Sequence, residues 1–71
     1  MQQLLGKIGT VIVPIAPRRK GRITIEGETE EFIATAHTYG EMFSKGMQVK
    51  VMKCDSSGIL FVAQSKKIER R

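Results

Sequence analysis

The chain has 71 residues, with twelve Lys and Arg against seven Asp and Glu, for a formal net charge of +5. That length supports one small domain, burying only about 60% of its unfolded surface, and a single cysteine with a single histidine excludes both a disulfide framework and a Cys/His zinc site. No apolar run approaches the roughly 20 residues of a membrane-spanning helix, and Met1–Leu5 lacks the features of a secretory signal, so the chain as given reads as soluble.

The lone thiol, Cys54, suits a reducing compartment and reads as a small core hydrophobe. The positive balance permits nucleic acid, anionic lipid or an acidic protein surface as partner, without choosing among them.

Residues 1–5 form a lead-in whose Leu4 or Leu5 can cap one end of a core. Gly6 and Gly9 open a first strand over Thr10–Ile15, with Val11, Val13 and Ile15 inward and Thr10 and Ile12 outward. Pro14 lacks a ladder donor, so the strand there runs along an edge or starts to leave the sheet. Pro17 stops it, and Ala16–Lys20 is a loop.

Gly21 precedes a second strand, Arg22–Glu26, whose alternation sets Ile23 and Ile25 in and Arg22, Thr24 and Glu26 out. A turn at Gly27-Glu28 leads to a third, Glu30–Ala36, with Phe32, Ala34 and Ala36 on one face and Glu31, Ile33 and Thr35 on the other. His37–Lys45 is irregular: Gly40 breaks any helix, and Phe43 is placed to plug the floor of a barrel.

Gly46 swings the chain into Val49–Cys54, which is joined to Ile59–Ala63 by Asp55-Ser56-Ser57-Gly58, a hairpin-turn composition. The inward residues Val49, Val51 and Cys54 step by two and then by three. That predicts a β-bulge near Met52-Lys53. Five short strands in antiparallel order, one bulged, with no long amphipathic helix, predict an all-β, five-stranded OB-type or SH3-like barrel. A first strand able to bend at Gly9 favours the OB-fold, here without the usual helix between strands three and four. The barrel occupies residues 6–64, and 65–71 (SKKIERR) are a basic, flexible tail.

Several constellations could carry function. Arg18, Arg19 and Lys20, with Arg22, gather four cations in and beside the loop that borders the ligand face of OB barrels. Together with Lys66 and Lys67 of the tail they form the candidate binding set for anionic lipid or an acidic partner. Single-strand nucleic-acid binders of this architecture interleave aromatics with cations. Here the outward face offers Arg22, Thr24, Glu26, Glu31, Ile33 and Thr35, and Glu28 and Glu30 add repulsion, so nucleic acid is the less favoured partner.

Glu30 and Glu31 fall on opposite faces and make no acid/base pair. His37 lacks an aligned nucleophile, since the only thiol is assigned to the core. The chain is therefore read as non-enzymatic, with no metal, cofactor or small-molecule substrate. Ile12, Ile33, Ile59 and Phe61 can form an outer apolar patch of the kind that marks contact sites, or be half covered by loops.

Taken together, Gly6, Gly9, Val11, Val13, Ile15 and Pro17, then Gly21-x-Ile23-x-Ile25-x-Gly27 and Ala34, then Phe43-x-x-Gly46-x-x-Val49-x-Val51, Cys54, Leu60 and Val62 resemble the C-terminal soluble domain of the NfeD-like family. The resemblance runs from about Gly6 to Ala63. Phe43 replaces a usual aliphatic residue, Cys54 replaces a frequent valine, and the stretch after Ala34 is not clearly aligned. It implies an OB barrel that follows transmembrane helices outside this chain, and a protein-interaction module working with stomatin-, prohibitin- or flotillin-type membrane scaffolds. Longer relatives carry a serine protease domain, which nothing here matches, so no catalytic residue is carried over. With the basic balance, it implies a membrane-associated domain on the cytoplasmic side. The alternative is a stand-alone nucleic-acid-binding barrel.

Overall fold

Residues 4–65 are described by a computed structural model. Five strands form: β1 (Ile8–Val13), β2 (Gly21–Ile25), β3 (Glu31–Ala36), β4 (Gln48–Cys54) and β5 (Leu60–Gln64). They close into a barrel in the order β1-β2-β3-β5-β4, with β4 pairing back onto β1. No α-helix occurs among the described residues, and β3 reaches β4 through an irregular segment. This is the OB-type barrel the residue pattern predicts, with strand bounds shifted by one or two residues.

One expectation about the sheet is corrected. The strands are not all antiparallel, because β3 and β5 run parallel through Ala34–Leu60, Thr35–Phe61 and Ala36–Val62. The reason is arithmetic: directions cannot alternate all the way round a closed ring with an odd number of strands.

The interior is filled by alternate residues, as the pleat requires. Val11, Ile23, Ile25, Ala34, Val49, Val51, Leu60 and Val62 are all buried. Burial of each large aliphatic side chain contributes about 1.5–3 kcal/mol, the main term holding so small a ring together. Phe43 comes from outside the strands and is buried against this core, the plug that its position suggests. Leu4 closes the other end, while Leu5 is exposed.

Two bulges shape the ring. On β4 the register slips between Val51 and Lys53, so Met52 is the extra residue, where the two-then-three spacing puts it. On β1 a second slip lies between Val11 and Val13, within an apolar run whose spacing does not mark it. Past this bulge Val13 pairs with Arg22, an outward residue, so Val13 is carried to the outer surface instead of the core. Ile15 regains the interior after Pro14. Cys54, expected to be buried, is half-buried against the edge of the core at the end of β4.

Two glycines are demanded by close approach. A Cβ on Gly21 would lie 2.1 Å from the Val13 carbonyl oxygen and 2.5 Å from that of Pro14. One on Gly9 would lie 2.6 Å from the Thr24 oxygen. The β4–β5 turn is held by Asp55, whose Oδ1 accepts from the backbone N–H of Ser57 at 2.9 Å and of Ile59 at 3.1 Å. That is the Asx geometry the turn composition predicts.

Candidate functional site: a basic pole and an apolar stripe

Strand directions sort the loops to the two ends of the barrel. The β1–β2 loop and the β3–β4 segment share one end, and the β2–β3 and β4–β5 turns share the other. The first end carries Arg18, Arg19, Lys20 and Lys45, against a half-buried Glu41. The second carries Glu26, Glu28, Glu30 and Asp55, against Lys7 and Lys53. The barrel is therefore electrically polar along its axis, which is not apparent when the charges are read along the chain.

The basic turn is built by backbone. Ala16 and Arg19 exchange N–H to carbonyl hydrogen bonds of 2.9 and 3.0 Å, which point Pro17 and Arg18 out of the end of the barrel. Ile15 and Phe43 exchange a second such pair, of 3.0 and 2.9 Å. Continuing that antiparallel register brings Met42 beside Ala16, at the foot of the basic turn. Met42 is 65% exposed and Tyr39 80% exposed. In chain order neither residue, nor Lys45, adjoins the loop. Strand alternation alone could have grouped them with it.

Of the predicted binding residues, Arg18, Arg19 and Lys20 lie together and exposed. Arg22 stands apart on the outer face of β2, its guanidinium 3.4 Å from the Glu31 carboxylate. Both side chains are about half exposed, and such a pair contributes roughly 0–1 kcal/mol. Lys66 and Lys67 lie outside the described residues. Ser65, the last described, donates to the Gln48 carbonyl at 3.2 Å, so β5 ends at the basic pole.

The outer face also carries an apolar stripe. Val13 pairs with Arg22 and Arg22 with Ile33, so two exposed aliphatics flank the arginine across three strands. The parallel register extends the row from Ile33 to Ile59 and sets Phe61 beside Thr35. Lys53 Nζ sits 5.6 Å from the Phe61 ring centroid. Of the four residues suggested for an outer patch, Ile33, Ile59 and Phe61 thus adjoin. Ile12 is the bulge residue of β1, and Val13 takes its place.

His37, exposed, follows β3 at the basic pole, and Cys54 ends β4 at the acidic pole, so the two cannot form a dyad. No group of three or more His, Cys, Asp or Glu side chains suited to a metal ion occurs among the described residues. Concavities of about 330 and 380 Å³ lie around Ile8, Glu26 and Gly27 and include none of the basic-turn residues. On the outer face of β2 and β3 the Glu31 carboxylate stands beside Arg22, and neither strand exposes an aromatic side chain.

No protein-family profile matches the chain, and no curated protein does. Solved structures do. The C-terminal domain of stomatin operon partner protein 1510-C from Pyrococcus horikoshii superposes with a TM-score of 0.77 at 29% identity, over 93% of this chain and 94% of that one. The soluble domain of the NfeD protein YuaF from Bacillus subtilis gives 0.77 at 28% identity, over 93% and 79%. The soluble domain of a membrane protein implicated in regulation of membrane protease activity, from Corynebacterium glutamicum, gives 0.77 over 89% and 94%, but at 17% identity that likeness is one of fold. The resemblance to the C-terminal soluble domain of the NfeD-like family, carried in the sequence by its glycines and core positions, therefore holds in three dimensions and along nearly the whole chain.

Proposed function

We propose that this barrel is a non-enzymatic interaction module, the soluble domain of a membrane protein, which docks a stomatin- or flotillin-type membrane scaffold on the cytoplasmic side. The observation that carries it is the near full-length likeness to a domain described as a stomatin operon partner. The surface supports it. Arg22 lies between the exposed aliphatics Val13 and Ile33, with Phe61 and Lys53 beyond, and arginine and aromatic side chains are enriched at protein contacts. The filled interior supports contact over catalysis, since the core side chains leave the inside of the ring to one another. Arg18, Arg19, Lys20 and Arg22, with Lys66 and Lys67, are the proposed contacts for anionic groups.

The test is a calorimetric titration of the chain with the purified soluble core of a stomatin-type protein, in the absence of lipid. Saturable binding that Ile33→Glu weakens at least tenfold, with the melting temperature unchanged, supports the reading. Absence of binding at high protein concentration overturns it.

A further inference from the structure

Two independent features meet at the basic pole. Four exposed cations, Arg18, Arg19, Lys20 and Lys45, ring it, and the two most exposed large apolar side chains among the described residues, Tyr39 and Met42, project from the adjoining segment. The acidic turns are a barrel length away, about 20 Å for a six-residue strand. Single exposed apolar side chains are ordinary on a protein surface, and what sets these two apart is their place beside four cations, which water alone does not exploit. An interface does: tyrosine has an apolar ring and a polar tip, and cations around an apolar tip are the arrangement of proteins that rest on charged bilayers.

We propose that the basic pole is a bilayer-docking surface for anionic phospholipid, with Arg18, Arg19, Lys20 and Lys45 on the headgroups and Tyr39 and Met42 inserted between them. The inference rests on the membrane-protein reading above only for bringing the barrel near a bilayer. The charge asymmetry orients the barrel. The cations are drawn to the negative surface while Glu26, Glu28, Glu30 and Asp55 are held away from it. Glu41 opposes docking locally. The chain enters the ring at the acidic pole, where Gly6 donates to the Val51 carbonyl. A membrane anchor upstream therefore reaches the same bilayer only through a linker spanning the barrel, at least about six extended residues. An acidic protein could use the same cations and the same two side chains; the nearness of a bilayer and the separation of charge along the barrel favour lipid, and a soluble polyanion distinguishes the two.

The experiment uses the whole chain with vesicles of phosphatidylcholine alone and of phosphatidylcholine with phosphatidylserine, and with poly-glutamate as a soluble polyanion. Sedimentation gives affinity, and single Trp probes at Met42→Trp and Ser57→Trp report which pole meets lipid, the native chain having no tryptophan. Expected are binding to the serine-containing vesicles only, a blue shift at position 42 and none at 57. Each of Arg18→Gln, Arg19→Gln and Lys20→Gln should weaken binding about fivefold, the equivalent of roughly 1 kcal/mol per cation. Glu41→Gln should tighten it. A folded chain that ignores the charged vesicles at low salt overturns the proposal. So does a shift at 57 instead of 42. Binding to poly-glutamate as tight as to vesicles, with no shift at 42, overturns it in favour of an acidic protein. Failure here leaves the lipid-free titration with the scaffold protein untouched, so the two readings fail separately.

Discussion

Ile15 and Phe43 hold each other by two backbone hydrogen bonds of 3.0 and 2.9 Å while both side chains are buried in the barrel core. This isolated bridge lies outside the five strands, yet it ties the β1–β2 loop to the β3–β4 segment. It is the mechanical link between the hydrophobic interior and the basic pole.

Phe43→Ala should therefore cost about 3–5 kcal/mol in urea unfolding, the range for a buried phenylalanine. A domain of this length has about 4–11 kcal/mol in all, so the variant is expected to be largely unfolded on warming. Phe43→Leu, which keeps an apolar plug, should retain a cooperative transition. A Phe43→Ala chain as stable as the parent would show that the bridge, and not the ring, closes the barrel.

Gly21→Ala should be worse than Gly9→Ala. The added Cβ meets two carbonyl oxygens at 2.1 and 2.5 Å in the first case and one at 2.6 Å in the second. Neither backbone can retreat without opening the β1–β2 seam. A loss of about 1–3 kcal/mol is expected for Gly21→Ala, the usual scale of overpacking, read from the denaturation midpoint of the two variants side by side.

Asp55→Ala removes the acceptor of two backbone N–H groups in the β4–β5 turn. The expected loss is about 1–2 kcal/mol, and Asp55→Asn, which keeps a carbonyl oxygen in place, should lose less. Hydrogen exchange at Ser57 and Ile59 is the sensitive readout, since protection there should fall before that of the core strands.

Reversing Arg18, Arg19 and Lys20 to Glu should leave the melting temperature nearly unchanged, because exposed substitutions away from packing usually act within about ±0.5 kcal/mol. Arg22→Gln should cost no more than about 1 kcal/mol, as expected for the loss of an exposed ion pair with Glu31. A large drop in either variant would mean that these cations serve the fold and not a partner.

The barrel was legible in the sequence wherever burial alternates with the pleat. Ile23 and Ile25 against Arg22 and Thr24 state a strand unambiguously, and the Val49-Val51-Cys54 spacing states a bulge. Val13 misled for the opposite reason. The β1 bulge lies in the unbroken apolar run Val11-Ile12-Val13, where no polar residue marks the slip, and only pairing with Arg22 reveals that the face has changed. The candidate site was half visible. Arg18-Arg19-Lys20 is a run any reading finds, whereas Lys45, Tyr39 and Met42 join it only once strand direction places their loop at the same end. Arg22, read together with that run, stands on the outer face of β2 with the Glu31 carboxylate 3.4 Å away.

The ring of strands has no free edge, since β4 pairs back onto β1. An open sheet can recruit an extended peptide through unpaired backbone groups, a mode of attachment nearly indifferent to sequence. That mode is closed to the described strands, which offer a neighbour their side chains instead. Partner choice is then free to diverge by surface substitution alone, with the eight aliphatic and small residues inside the ring standing still.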